Sequence, residues 1–171
     1  SNGGVGIESS TVLSGLLSHG ETVCVYNDAD TDATFRLKGN VNIVWAGAVW
    51  NGDDAVYLCK GGTNRINIID AIGSMPGHAD PGTEFNNNGI GTANTTLVRN
   101  SNITRPDTVW SGLQWTESAA ETYTNFGFHA VTCPSYCTDL MISEYMVANG
   151  DNKAIELFNG TGVTVDLSKF I

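Results

Sequence analysis

Residues 139–171 read DLMISEYMVANGDNKAIELFNGTGVTVDLSKFI, and this stretch decides the fold. Leu140 to Val147 (LMISEYMV) and Ala154 to Asn159 (AIELFN) are short runs rich in β-branched and aromatic residues, the composition of strands. Asn149, Gly150 and Asp151 supply a turn between them. Only a short tail, VTVDLSKFI, follows. A hairpin of this size cannot bury enough apolar surface to stand alone. It must complete a larger sheet, either on its own body or on a neighbour.

Upstream, the chain repeats the same pattern. Glu21 to Asn27, Asp54 to Lys60, Arg65 to Ile72 and Thr95 to Arg99 read as further short strands. Turn residues separate them at Asn51-Gly52-Asp53, Gly61-Gly62, Asn88-Gly89 and Asn159-Gly160. Helical signal is thin: Ser9 to Leu17 would give a turn or two broken by Gly15, and Ser118 to Glu121 is too short to stand alone. Met75 to Gly91, with Pro76 and Pro81, reads as a long loop. Short strands at this spacing predict an all-β sandwich or barrel. The organisation expected is a main body over residues 1–128, a linker over 129–138 (HAVTCPSYCT) and a strand segment over 139–171.

Several of these segments together resemble the lamin-tail domain of bacterial extracellular proteins. They are Ile142-Ser143-Glu144-Tyr145, Asn152-Lys153-Ala154-Ile155-Glu156, Val165-Asp166-Leu167-Ser168, the stretch Trp50 to Leu58 (WNGDDAVYL), Ile68 to Gly73 and Thr96 to Asn100. The W-T and NFGFH pieces at Trp115-Thr116 and Asn125 to His129 are similar to the family's closing segment. The resemblance covers most of the chain but in rotated order, with the family's first strands last and the continuing SNGG-like segment at Ser1 to Gly4. It implies an immunoglobulin-like β-sandwich with a structural, non-enzymatic role. Three arrangements explain the rotation: a circular permutation closed within the chain, a window on a tandem array, or donation of residues 139–171 to the next subunit. Donation satisfies an open sheet edge with main-chain hydrogen bonds, and because it runs head to tail it continues as a filament. The roughly ten linker residues would reach about 30 Å when extended. Ile142, Tyr145, Ile155, Leu157 and Phe158 are then the side chains expected to read the acceptor groove.

Composition bounds the function classes. The 171 residues carry 41% hydrophobic and 15% charged side chains, a globular balance with no apolar run near the ~18 residues of a membrane span. A net charge of −10 with only 8 Lys and Arg argues against nucleic acid, whose phosphates are held by those residues. The opening Ser1-Asn2-Gly3-Gly4 lacks an initiator Met and a charged-then-apolar leader, and reads as a processed form or an excised fragment. Four cysteines without zinc spacing suggest disulfides and an oxidising, extracellular compartment, with Cys24 to Cys59 and Cys133 to Cys137 as the expected pairs.

The remaining candidates are weighed against simpler roles. Asp28, Asp30 and Asp32 alternate on a loop in a manner that suits a structural Ca²⁺, but Ala33 and Gly39 break the EF-hand pattern, so a solvated acidic turn is favoured. Asp53 and Asp54 are expected to shape their turn. No nucleophile elbow, HExxH or phosphate-binding loop occurs, and no cofactor is implied. Glu144 and Glu156 could serve as a glycosidase pair, but a surface or strand-pair role is favoured. Trp45, Trp50, Trp110 and Trp115 are expected in the core rather than as a sugar platform. Asn94, Asn102 and Asn159 head glycosylation sequons. The expectation is a secreted subunit that polymerises with itself through its C-terminal strands. The other reading is a glycan- or protein-binding accessory module of a larger secreted enzyme or adhesin, or one unit of a tandem array.

Overall fold

The computed structural model describes residues 7–27, 29, 38–75, 81–132 and 136–171. Its strands are β1 (Leu16–Leu17), β2 (Thr22–Tyr26), β3 (Val41–Val44), β4 (Val56–Cys59), β5 (Ile68–Ile72), β6 (Asn86–Asn87), β7 (Ile90–Gly91), β8 (Thr95–Arg99), β9 (Trp115–Ala119), β10 (Met141–Val147), β11 (Lys153–Phe158) and β12 (Val165–Asp166). Among the described residues there is no α-helix, only single 3₁₀ turns at Arg65–Asn67, Gly112–Gln114 and Leu167–Lys169.

Six strands form the first layer in the order β3-β2-β11-β10-β8-β9, antiparallel except for the β2–β3 pair. The tail hairpin β10–β11 therefore occupies the centre of this layer, with β2 on one side and β8 on the other. The second layer is built on the β4–β5 hairpin. The tail re-enters here: Ile171 exchanges backbone hydrogen bonds with Cys59 (2.8 and 3.0 Å), Gly61 N donates to Lys169 O, and Leu13 N donates to Phe170 O. Leu16 and Leu17 pair with Asp166 and Val165. Residues 139–171 thus supply two interior strands to the first layer of an all-β sandwich and backbone pairing along β4 to the second.

Ser9 to Leu17 is extended rather than helical. Its backbone groups pair with the tail through Leu13 and Gly15, and Gly15 adopts φ +106°, outside helical space. Within the expected loop, Asn88 and Gly89 both take positive φ and turn the small β6–β7 hairpin. Residues 76–80 lie outside the described residues.

The main core lies between the layers. Val23 and Val25 of β2, Ile155 and Leu157 of β11, Ile142 and Tyr145 of β10 and Leu97 of β8 face Val56, Leu58 and Ile72 of the hairpin. Ile142 and Tyr145 stand three residues apart, so strict alternation would put them on opposite faces. A β-bulge between Ile142 and Glu144 adds one residue and returns both to the core. The outer face of the first layer is also covered: Cys24, Tyr26, Met146 and Ala154 pack beneath Phe126. Every residue of β10 and β11 is consequently buried.

Candidate functional site

The five side chains expected to read an acceptor groove divide between two places. Ile142, Tyr145, Ile155 and Leu157 are in the main core, while Phe158 packs with Met141 and Cys137 in a separate cluster. The groove they fill is formed by the same chain. The linker lies partly against the body: Thr132 N and Thr138 N donate to Ser101 O and Thr104 O, and the His129 ring sits 5.1 Å from that of Phe158.

Glu144 and Glu156 are directly opposed across β10 and β11, and both are fully buried on the outer face of the first layer. Glu156 Oε1 accepts from Ser143 Oγ at 2.7 Å, and its Oε2 accepts from Gly127 N at 2.5 Å. Ser143 reaches it from the bulge. Gly127 (φ +93°) comes so close to the Lys38 carbonyl that a Cβ would stand 2.3 Å from that oxygen, so only glycine fits. Both Glu144 oxygens are buried without a hydrogen-bond partner.

Burial, followed by the Glu156 charge, pushes Glu144 up to about 9. Burial raises Glu156 to about 7, against the lowering effect of its Ser143 and Gly127 hydrogen bonds. Cys24, opposite Glu156 on β2, has its thiol pushed far up by burial and by these two carboxyls. The pair is sealed from solvent, so a glycan cannot reach it. What it can do is hold protons and respond to pH.

Cys24 and Cys59 are both free thiols, which corrects the expected bridge. Cys24 points to the outer face of the first layer, whereas Cys59 belongs to the second, and their strands are not neighbours. Layers stack about 10 Å apart, beyond the reach of a disulfide from a residue on the outer face of the first layer. Cys133 lies outside the described residues, and with it the Cys133–Cys137 pair. Asp28, Asp30 and Asp32 also lie outside them. Among the described residues no three His, Cys, Asp or Glu side chains converge on a cation position.

Asp53 and Asp54 do shape their turn: Asp53 N donates to Asn51 Oδ1, and Asn51 N donates to Asp54 Oδ2. Trp50, Trp110 and Trp115 are core residues, and Trp45 is half-buried beside Trp50. Trp50 stacks on Tyr145 and donates its Nε1–H to Met146 O. Asn94 and Asn102 are exposed. Asn159 is fully buried, and its Nδ2 donates to Leu17 O and Val163 O, which leaves no room for a glycan.

The structure adds an ion pair that the sequence reading passed over, Arg99 with Asp70, both buried. The available signal was an Asp inside the apolar run IIDAI, where a charge needs a partner.

Comparison of the chain with family models, with curated proteins and with solved structures gives no significant match. The fold is therefore described from its own strands as an all-β sandwich. No described helix is long and apolar enough to cross a membrane.

Proposed function

We propose that this chain is a secreted structural subunit that polymerises into an extracellular filament by passing residues 139–171 to the neighbouring copy. The observation that carries this reading is the position of β10 and β11 at the centre of the six-stranded layer, with every one of their residues buried. A body without it lacks two interior strands and the partners of Val23, Val25 and Leu97. Exchange between copies would remake the same contacts in trans, so it needs no new interface. The segments similar to lamin-tail domains, and the immunoglobulin-like sandwich they imply, fit such a role, as does an acidic surface poor in Lys and Arg.

A second reading has its own support. The tail docks within a single chain, as expected of a self-closed accessory module in a larger secreted protein that binds a glycan or a partner protein.

Electron microscopy of the purified full chain, beside a variant ending at Asp139, tests the choice. Fibres are expected from the full chain and poorly folded monomers from the truncation, with a synthetic peptide of residues 139–171 restoring its fold. Stable, monodisperse monomers of the full chain would overturn exchange and leave the accessory module.

A further inference from the structure

A cavity of about 210 Å³ opens at the side of the sandwich, between β4, the β2–β11 side of the core and the stretch from Ile7 to Thr11. Its floor is core: Val25, Ile155 and Leu157 reach it from the first layer. Its walls combine two kinds of side chain. Trp45, Trp50 and Tyr57 bring aromatic surface, and Glu8, Asp53 and Asp54 bring carboxyl groups. Among the described residues that line it there is no Lys, Arg or His.

Asp53 Oδ1 is buried without a hydrogen-bond partner, although its backbone N–H is used in the turn. Desolvating a carboxylate oxygen without a partner is costly. The Asp53 side chain lines the cavity, and a cationic group seated there would offset that cost through its charge, without needing direct contact with Oδ1. Aromatic faces favour cations over neutral groups of the same shape, since the ring quadrupole is negative at its face. An apolar floor, aromatic walls and one sign of charge select a ligand with an organic cation on an apolar body.

We propose that this cavity is a binding site for small organic cations of the quaternary-ammonium type. The proposal is independent of how the tail assembles. The turn Trp50-Asn51-Gly52-Asp53-Asp54 holds both kinds of wall at once. It places Trp50 in the core and brings the two carboxyls to the wall through the Asn51 hydrogen bonds.

The test is calorimetric titration of the full chain with benzyltrimethylammonium, with tryptophan fluorescence as a second readout. The neutral isostere 3,3-dimethylbutan-1-ol is compared with choline, which has the same shape and carries the charge. Saturable binding of the ammonium ligands is expected, with choline about tenfold tighter than the alcohol, the scale of a desolvated cation–π contact. Asp53→Asn with Asp54→Asn should weaken choline by a similar factor and leave the alcohol unchanged. Equal affinity for choline and the alcohol in the unmodified protein would overturn the proposal, and so would no saturable response to either ammonium ligand. That comparison needs no variant, so a misfolded double variant does not shelter the claim.

Discussion

Arg99 of β8 and Asp70 of β5 join the two layers through paired hydrogen bonds, Nη1 to Oδ2 at 2.6 Å and Nη2 to Oδ1 at 2.9 Å. Asp70 also accepts from Ile142 N at 2.8 Å and Asp107 N at 3.0 Å, and the guanidinium lies 4.7 Å from the centroid of the Trp115 ring. The Ile142 bond falls at the β10 bulge, where the ladder is interrupted. One carboxylate thus fixes the bulge that turns Ile142 into the core, and it links the tail to the body.

Removing one partner of this pair should cost more than removing both. Asp70→Leu leaves the Arg99 charge buried and alone, a loss of about 3–5 kcal/mol. The double variant with Arg99→Met removes the stranded charge and should recover part of that loss, although the Ile142 and Asp107 N–H groups stay unpaired. Urea denaturation of the single and double variants measures the difference. Equal losses would mean that the damage comes from the backbone donors and not from the charge.

Stability should fall as the pH rises from about 6.5 to 9. Glu144 and Glu156 have folded-state values raised to about 9 and about 7, above the ordinary 4.5. Across that window the folded state holds protons that the unfolded chain has released. Their contribution is therefore complete below pH 4.5 and is lost as pH climbs through 7 and 9. His129 works in the other direction: burial, then the Arg99 charge, lowers it to about 4, so it favours the fold as pH rises from 4 to 6.5. From 6.5 to about 8 the carboxyls carry the decline, and the slope approaches about 1.4 kcal/mol per unit for each proton. Toward pH 9 the buried Cys24 and Cys59 thiols, raised by burial, add to it, while Lys153, lowered by burial, opposes it. Glu144→Gln should flatten the decline between pH 7 and 9. Chemical denaturation at pH 6.5, 7.5 and 9 tests this, and an unchanged slope in the variant would remove Glu144 as its source.

The strands around the tail were legible because they alternate or carry β-branched runs between turn residues. Thr95–Arg99 matches its expected limits, and β10 and β11 each agree to within one residue. Asn42 and Asn40 masked β3, whose pairing with β2 is a non-local, parallel contact. Trp115–Ala119 carries Glu117 and Ser118 and faces solvent over much of its length, so it lacks an apolar signature. Burial of β10 on both faces was hidden for a different reason. Glu144 carries the charge of a surface or strand-pair residue in the sequence, and only the bulge together with the Phe126 and Gly127 segment, nearly twenty residues upstream, encloses it with Ser143. The misplaced Cys24–Cys59 bridge has the same origin. Both residues occupy strands, but sequence gives no face for one strand relative to another until the layers are assembled.

Asn159 should behave as a structural residue and not as a glycan acceptor. Its side chain joins Leu17 O to Val163 O, and its Oδ1 accepts from Thr161 N and Thr161 Oγ1. Asn159→Ala removes the side-chain donor to Leu17 O and to Val163 O, which keeps Thr161 Oγ1, and the acceptor of the Thr161 N–H, with an expected cost of about 1–3 kcal/mol. After expression in a glycosylating host, peptide mass spectrometry should find glycans at Asn94 or Asn102 and none at Asn159. A modified Asn159 in folded material would show that its pocket opens before the chain closes.

Native thiol labelling should separate the cysteines. Cys24 is fully buried, and its thiol is held protonated by burial and by the neighbouring Glu156 and Glu144. Thiolate is the reactive form, so iodoacetamide at pH 8 should leave Cys24 untouched until denaturant is added. Cys59 is also buried and raised by burial, and it should label slowly, limited by opening of the edge where Ile171 pairs with it. Because Cys24 and Cys59 are free, reduction should add at most two hydrogens to the intact mass, the count for a single bridge between Cys133 and Cys137. A gain of four would require Cys24 and Cys59 to be joined as well, which contradicts their free thiols on strands of different layers.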